Sequence, residues 1–141
     1  MLKVDNSLYC VLSKIDPDFT KYWSKSFFAK FINLKNTRLY FSEPTNKGYI
    51  IFSYTRFEIE IVSIFINFKY RRLGIASTLL EQVKEFAIKN KILRIVLEVS
   101  VENNIAMVLY KRFGFIEVGI RKNYYKKKNK LIDAKIMSYS I

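Results

Sequence analysis

Three clusters of residues in this chain have types and spacing suited to chemistry. The first is YRRLGIAS, residues 70–77. Arg71 and Arg72 precede Gly74 and the small Ala76, and an apolar helical pattern then begins. The first-turn N–H groups of a helix lack intrahelical partners, and its dipole is positive at that end, so such a start binds phosphate oxygens. Gly74 lets a ligand approach backbone where a Cβ would intrude, and the guanidinium groups add charge toward a diphosphate. The same residues also suit a plain helix start with solvated arginines. Neither a Walker loop nor the dinucleotide-binding glycine fingerprint is present.

The second cluster is one residue, Glu98, in ILRIVLEV (92–99). The segment is apolar nearly throughout, as a central strand covered on both faces is. Leu93, Ile95, Leu97 and Val99 share one face; Ile92, Arg94, Val96 and Glu98 share the other. A carboxylate half-dried at the end of such a strand makes a better base. The alternative is a rim glutamate paired with Arg94. The third cluster is Asn103, Ala106 and Tyr110, at i, i+3 and i+7 of a helix and so on one face. A polar cap, a small residue and a phenol suit a ligand lying against the helix. The alternative is a tyrosine whose ring packs and whose hydroxyl reaches water.

Composition narrows the chemistry. The chain of 141 residues has no histidine and one cysteine. That excludes Ser-His-Asp and Cys-His nucleophilic designs and a Cys/His zinc site, so no metal is expected. Acid–base work near neutral pH falls to a carboxylate, a tyrosine or a lysine. Cys10 cannot form an internal disulfide and reads as a core thiol. The formal charge of +13 points to an anionic partner, whether nucleic acid such as RNA, a ribosome surface or a phosphorylated cofactor, or else to coding bias in a chain rich in Lys, Asn, Ile, Phe and Tyr. No apolar run is long enough for a membrane helix, and the start lacks a signal-peptide pattern. A soluble cytoplasmic protein is expected.

The elements that must position these residues follow from periodicity, in a single domain over 1–141 without repeats or linkers. Residues 7–15 read as a short strand and Asp16-Pro17-Asp18 as a turn. A helix over 18–34 carries Phe19, Trp23, Phe27 and Phe31 on one face. RLYFSE, GYIIFSYTRF and IEIVSIFI read as three strands, the first two joined by a turn at 44–48. Ile75, Leu79, Val83 and Phe86 mark a helix after Gly74, stopped by Asn90. ILRIVLEV is a strand, Asn103 caps a helix to Phe113, and Gly114 ends it. FIEVGI is a strand, 121–130 a loop or hairpin arm, and LIDAKIMSYSI a last strand. The order implies a mixed sheet with helices packed on it, an α/β (α+β) class.

Together these motifs resemble the GCN5-related N-acetyltransferase (GNAT) family. YRRLGIA matches its coenzyme motif at Arg71, Gly74 and Ala76. ENNIAMVLYKRFGF matches the following helix at Asn103, Ala106, Tyr110, Gly114 and Phe115. LEVSVENNIAMVLYKRFGFIEVGIRKNYY, YWSKSFF and DAKIMSYSI resemble the subgroup that acetylates the N-terminal alanine of ribosomal proteins. The resemblance implies a GNAT fold with a parallel strand split that takes acetyl-CoA. Ile64, Phe65 and Ile66 would pair with pantetheine through their backbone. Arg71, Arg72, Leu73, Gly74, Ile75, Ala76 and Ser77 would hold the pyrophosphate, and Asn103 the pantetheine end. Glu98 aligns with the general base and Tyr110 with the general acid. Tyr124 and Tyr125 would line the acceptor groove, or else form a hairpin pair with one ring buried and one exposed. Trp23 borders that groove or anchors the first helices. A lysine or small-amine acceptor and a basic RNA-binding module are the rival readings.

Overall fold

A computed structural model describes residues 6–44 and 47–141. Thr45 and Asn46, part of the expected turn at 44–48, lie outside the described residues. The elements are α1 (Asn6–Ile15), α2 (Phe19–Tyr22), α3 (Lys25–Ile32), β1 (Thr37–Phe41), β2 (Gly48–Tyr54), β3 (Glu58–Ile66), a 3-10 turn (Phe68–Tyr70), α4 (Ile75–Lys89), β4 (Arg94–Ser100), α5 (Asn104–Phe113), β5 (Ile116–Lys127) and β6 (Lys130–Ser140). The six strands form one sheet in the order β1-β2-β3-β4-β6-β5. β3 and β4 run parallel; β1–β2, β4–β6 and β5–β6 are antiparallel. The expected mixed sheet with flanking helices is thus the architecture found. By compactness the chain divides in two. One unit comprises residues up to Tyr54 with Val62–Val83, and the other Thr55–Ile61 with Lys84–Ile141.

In the first unit the N-terminal segment corrects the expected strand. Residues 7–15 belong to α1, with Tyr9, Leu12 and Ile15 buried and Cys10 and Val11 exposed. Spacing of three places the buried residues on one helical face. A short apolar run reads equally as strand or helix until a partner face selects. Cys10 is therefore a surface thiol, not a core one.

The expected helix over 18–34 is two helices. Trp23 takes extended backbone, φ −121° and ψ 112°, and the Ser24 side chain caps α3 by accepting from Phe27 N at 3.2 Å. The break resets the helical phase. Phe28 turns fully inward, while Phe27, expected on the buried face, is 58% exposed. Phe28 lies edge-on to Phe19 and Trp23, at 5.3 and 5.6 Å between centroids. Tyr9, Leu12, Ile15, Tyr49 and Ile51 complete this core. β2 is buried along Tyr49–Phe52 on both faces. Gly48 permits the approach of β3's end, because a Cβ there would fall 2.7 Å from Phe65 O.

In the second unit the parallel ladder pairs Glu58–Ile61 with Arg94–Leu97. β4 also pairs along its whole length with β6. Its side chains alternate: Ile95, Leu97 and Val99 are buried, while Val96, Glu98 and Ser100 are half-buried and Arg94 is exposed. One face is thus only partly covered, not fully as expected, and Ile92 and Leu93 precede the strand. Residues 121–130 form a hairpin arm. Lys128 and Asn129 turn it with φ of 48° and 62°, the positive pair that a tight two-residue hairpin turn requires. Between the register pairs Arg121–Ala134 and Tyr125–Ile132, residues 122–124 stand opposite Asp133 alone. This bulge bends the strand, and Asn123 in it has φ 55° and donates its N–H to Asp133 Oδ1 at 2.9 Å.

The phase reset separates two adjacent phenylalanines energetically. Phe28→Ala is expected to cost ~3–5 kcal/mol by leaving a cavity, and Phe27→Ala less than ~1 kcal/mol. Urea unfolding of the two variants measures the difference.

Candidate functional site

The stretch expected to bind phosphate lies wholly in the first unit. β3 ends at Ile66, and Ile64, Phe65 and Ile66 are half-buried. Arg71 is engaged there: its Nε donates to Ile66 O at 3.0 Å, and its guanidinium lies 3.9 Å from the Phe68 ring centroid. It braces the strand end as well as supplying charge. Arg72 and Gly74 both have positive φ, 62° and 78°. A Cβ on Gly74 would touch nothing within 4 Å, so the demand for glycine visible in the protein is its left-handed backbone. Arg72, Leu73 and Gly74 are exposed, and Ile75, Ala76 and Ser77 half-buried. The first turn of α4 carries no acidic residue that would neutralise its N-terminal partial charge. Open space before glycine, unpaired helical amides and adjacent cations fit an incoming diphosphate.

The same unit holds a pocket of about 290 Å³ lined by Asp16, Tyr22, Trp23, Phe27, Tyr49 and Ser63. Trp23 is buried against Phe28, as an anchor of the first helices is expected to be, and it also lines this pocket. Asp16 is 7% exposed, and its Oδ2 accepts from the Tyr49 hydroxyl at 3.0 Å. Burial pushes the Tyr49 phenol well above its ordinary range. A Ser63 hydrogen bond opposes this, and the Asp16 charge adds to it. Sequence reasoning took Asp16 for a turn residue and passed over Tyr49. Their partnership spans α1's end and β2, and no local pattern announces it.

In the second unit Glu98 and the tyrosines come together. Glu98 does not pair with Arg94, which binds Glu58 instead. Its Oε1 accepts from Arg121 Nη1 at 2.8 Å, and its buried Oε2 accepts no hydrogen bond of ordinary length among the described residues. The Arg121 guanidinium lies 4.5 Å from the Tyr124 ring centroid. Tyr124 and Tyr125 meet edge-on at 4.9 Å, the first 45% exposed and the second half-buried. Burial, then the Glu98 charge and a hydrogen-bonding influence from Glu98, raise the Tyr124 phenol, against the pull of the Arg121 charge. Burial and the two neighbouring acids, Tyr124 and Glu98, push Tyr125 up to about 12. Arg121 was not anticipated, because its proximity to Glu98 depends on strand register and the bulge.

α5 is capped as expected. Asn103 Oδ1 accepts from Ala106 N at 3.2 Å, and Gly114 closes the helix at φ 120°. Asn103 is exposed and Ala106 half-buried, but Tyr110 is buried with Met107 and packs on Phe115 at 5.8 Å. Burial, with Tyr125 nearby, holds its phenol far above the ordinary value. The ring is core, and the hydroxyl keeps its proton throughout the neutral range. Among the described residues no group of three His, Cys, Asp or Glu side chains could hold a metal ion, and no helix is long and apolar enough to cross a membrane.

The model of the acetyltransferase (GNAT) family matches residues 8–115. The chain belongs to the GNAT acetyltransferase family. Over 122 residues it is 31% identical to the ribosomal protein bS18 alanine N-acetyltransferase of Escherichia coli, covering 84% of this chain and 81% of that one. The crystal structure of the E. coli S18-alanine enzyme superposes with a TM-score of 0.85 at 24% identity, over 99% of this chain and 92% of that one. A GNAT acetyltransferase of Elizabethkingia anophelis, solved with acetyl-CoA bound, gives a TM-score of 0.73 at 21% identity, over 94% and 90%. This GNAT chain is an enzyme, an acetyltransferase, as the motifs implied.

The raised phenol of this acetyltransferase has a consequence for stability. For Tyr125 the folded value lies above the unfolded one, so its contribution is full below pH 10.0 and is lost as pH rises through about 12. Denaturation midpoints followed from pH 9 to 12 are expected to fall less steeply in Tyr125→Phe than in the wild type. Ultraviolet difference titration of the native proteins is expected to lose one late phenolate in the same variant.

Proposed function

We propose that this enzyme is an N-alpha-acetyltransferase that acetylates the N-terminal amine of an alanine-starting ribosomal protein. The reading rests on the likeness to the E. coli bS18-alanine enzyme along 84% of the chain. The chemistry of the side chains supports it. An α-amine has a pKa near ~8, so at neutral pH most of it must lose a proton before it can attack. Glu98, whose Oε2 accepts no hydrogen bond of ordinary length among the described residues, accepts that proton. Tyr110 is read as the donor to the departing thiolate on its match to the family helix; burial keeps its phenol protonated at neutral pH and also makes it a weaker acid. Bound acetyl-CoA supplies the activated acetyl thioester. The loop Arg71–Ser77 holds its pyrophosphate, with the backbone of Ile64, Phe65 and Ile66 and the side chain of Asn103 along the pantetheine. Tyr124 and Tyr125 orient the acceptor peptide. The chain uses no nucleophile of its own, in keeping with its lack of histidine.

The test pairs acetyl-CoA with a short alanine-starting ribosomal peptide, free or blocked at its N-terminus and containing a lysine. Coenzyme release is expected only from the free peptide. Glu98→Gln is expected to lower kcat/KM by ~100-fold or more. Equal turnover of the blocked peptide would move the acceptor to a lysine side chain, whose pKa near ~10.4 asks more of the base. Gly74→Ala is expected to weaken acetyl-CoA binding by ~10-fold, read by calorimetry, because a Cβ strains the left-handed backbone that shapes the loop.

A further inference from the structure

We infer that Arg121 is a positioning residue for the base: it holds Glu98 by one carboxylate oxygen, Oε1, and so leaves the other, Oε2, as the atom that takes the acceptor's proton once the amine or an intervening water reaches it. The inference rests on the reading of Glu98 as base given above and deepens it. Its starting point is an atom the folded protein leaves unexplained. Glu98 Oε2 is buried and accepts no hydrogen bond of ordinary length among the described residues, while the Tyr124 hydroxyl stands near enough to the Glu98 carboxylate for a hydrogen-bonding influence on the phenol. A buried carboxylate oxygen without a donor is costly, and such atoms in native proteins are uncommon enough to call for a partner or a role.

The geometry around it is specific. Arginine commonly meets a carboxylate as a fork that occupies both oxygens. Here the recorded bond is single, Nη1 to Oε1 at 2.8 Å, on a side chain that is 20% exposed. The Arg121 guanidinium is also engaged elsewhere. It lies over the Tyr124 ring at 4.5 Å, and the bulge of residues 122–124 opposite Asp133 fixes where the side chain leaves the strand. Glu60 adds a second negative field at Arg121 and Tyr124. The other cation on β4's half-covered face, Arg94, is taken by Glu58 and does not compete. In the transfer, the amine N–H bond breaks, an O–H bond forms at Oε2, and the electron pair stays on nitrogen for the attack. Arg121 neither gains nor loses a proton; it keeps the carboxylate from rotating.

The experiment is a cycle of Arg121→Met, Arg121→Lys, Glu98→Gln and the Arg121→Met/Glu98→Gln double variant, assayed with acetyl-CoA and the alanine-starting peptide. Arg121→Met leaves a mostly withdrawn carboxylate without its counter-charge and is expected to melt below the wild type, so the variants are compared at a temperature where circular dichroism shows each of them folded. Arg121→Met is expected to lower kcat by ~10-fold or more while KM, and peptide affinity by calorimetry in the presence of CoA, stay within ~3-fold. Arg121→Lys recovers part of the loss, and Arg121→Met has no further effect once Glu98 is glutamine. Wild-type kcat in Arg121→Met, a rise in KM alone, or an equal loss in the Glu98→Gln background would each overturn the inference while leaving the proposed function standing. Wild-type turnover of Glu98→Gln would remove the base assignment itself, and the positioning role with it.

Discussion

A carboxylate set into a strand in the middle of a sheet must be compensated, and the second unit is arranged around that requirement. β4 is flanked by β3 and β6, and its inward face is Ile95, Leu97 and Val99. The opposite face carries two charges, Arg94 and Glu98, and each is met by an opposite charge from another strand. The two pairs differ in kind. Arg94–Glu58 is well exposed, where an ion pair contributes little to stability. Glu98 is mostly withdrawn from water, where losing its counter-charge would matter more. The long β5 arm and its bulge are what bring that counter-charge across.

The first unit handles charge differently, through backbone. Its loop from Arg71 to Ser77 combines two left-handed residues with the unpaired amides of a new helix. Side-chain charge is secondary there, since the Arg71 Nε is occupied by the strand end it braces. A site made of amides tolerates much variation in side chains, because it asks only that the chain turn at a given point. That is why Ala76 can stand where the family pattern commonly has a second glycine. It also explains why the glycine retained is Gly74, whose φ of 78° an alanine resists.

Legibility in the sequence tracked locality. Asn103, Gly114 and the apolar spacing between them state α5 without help from elsewhere, and the structure has that helix with that cap. β2, β3 and β4 were equally plain from their β-branched runs. The N-terminal helices were not. SLYCVLSKI has no turn residue or period strong enough to choose helix over strand, and only packing against the aromatic core decides it. Phe27 and Phe28 are neighbours in sequence, and the break at Trp23 alone determines which is inside. At the candidate site Glu98 could be singled out because acid in an apolar run is conspicuous. Arg121, Asp16 and Tyr49 could not, because their importance lies in partners distant along the chain.

The absence of histidine ties these observations to the chemistry. Each phenol gathered in the second unit, Tyr110, Tyr124 and Tyr125, is pushed above its ordinary value, with burial the largest cause. Groups that hold their protons so firmly are donors, not acceptors, near neutrality. With no imidazole in the chain, the side chain in that cluster able to take up a proton is the carboxylate. Burial thus separates the two kinds of group: it keeps the tyrosines protonated and leaves one acid oxygen, Oε2 of Glu98, without a hydrogen bond of ordinary length among the described residues. An imidazole would merge both roles in one group. Lacking it, the chain holds the two kinds of group on different elements, the carboxylate on β4 and the phenols on α5 and β5.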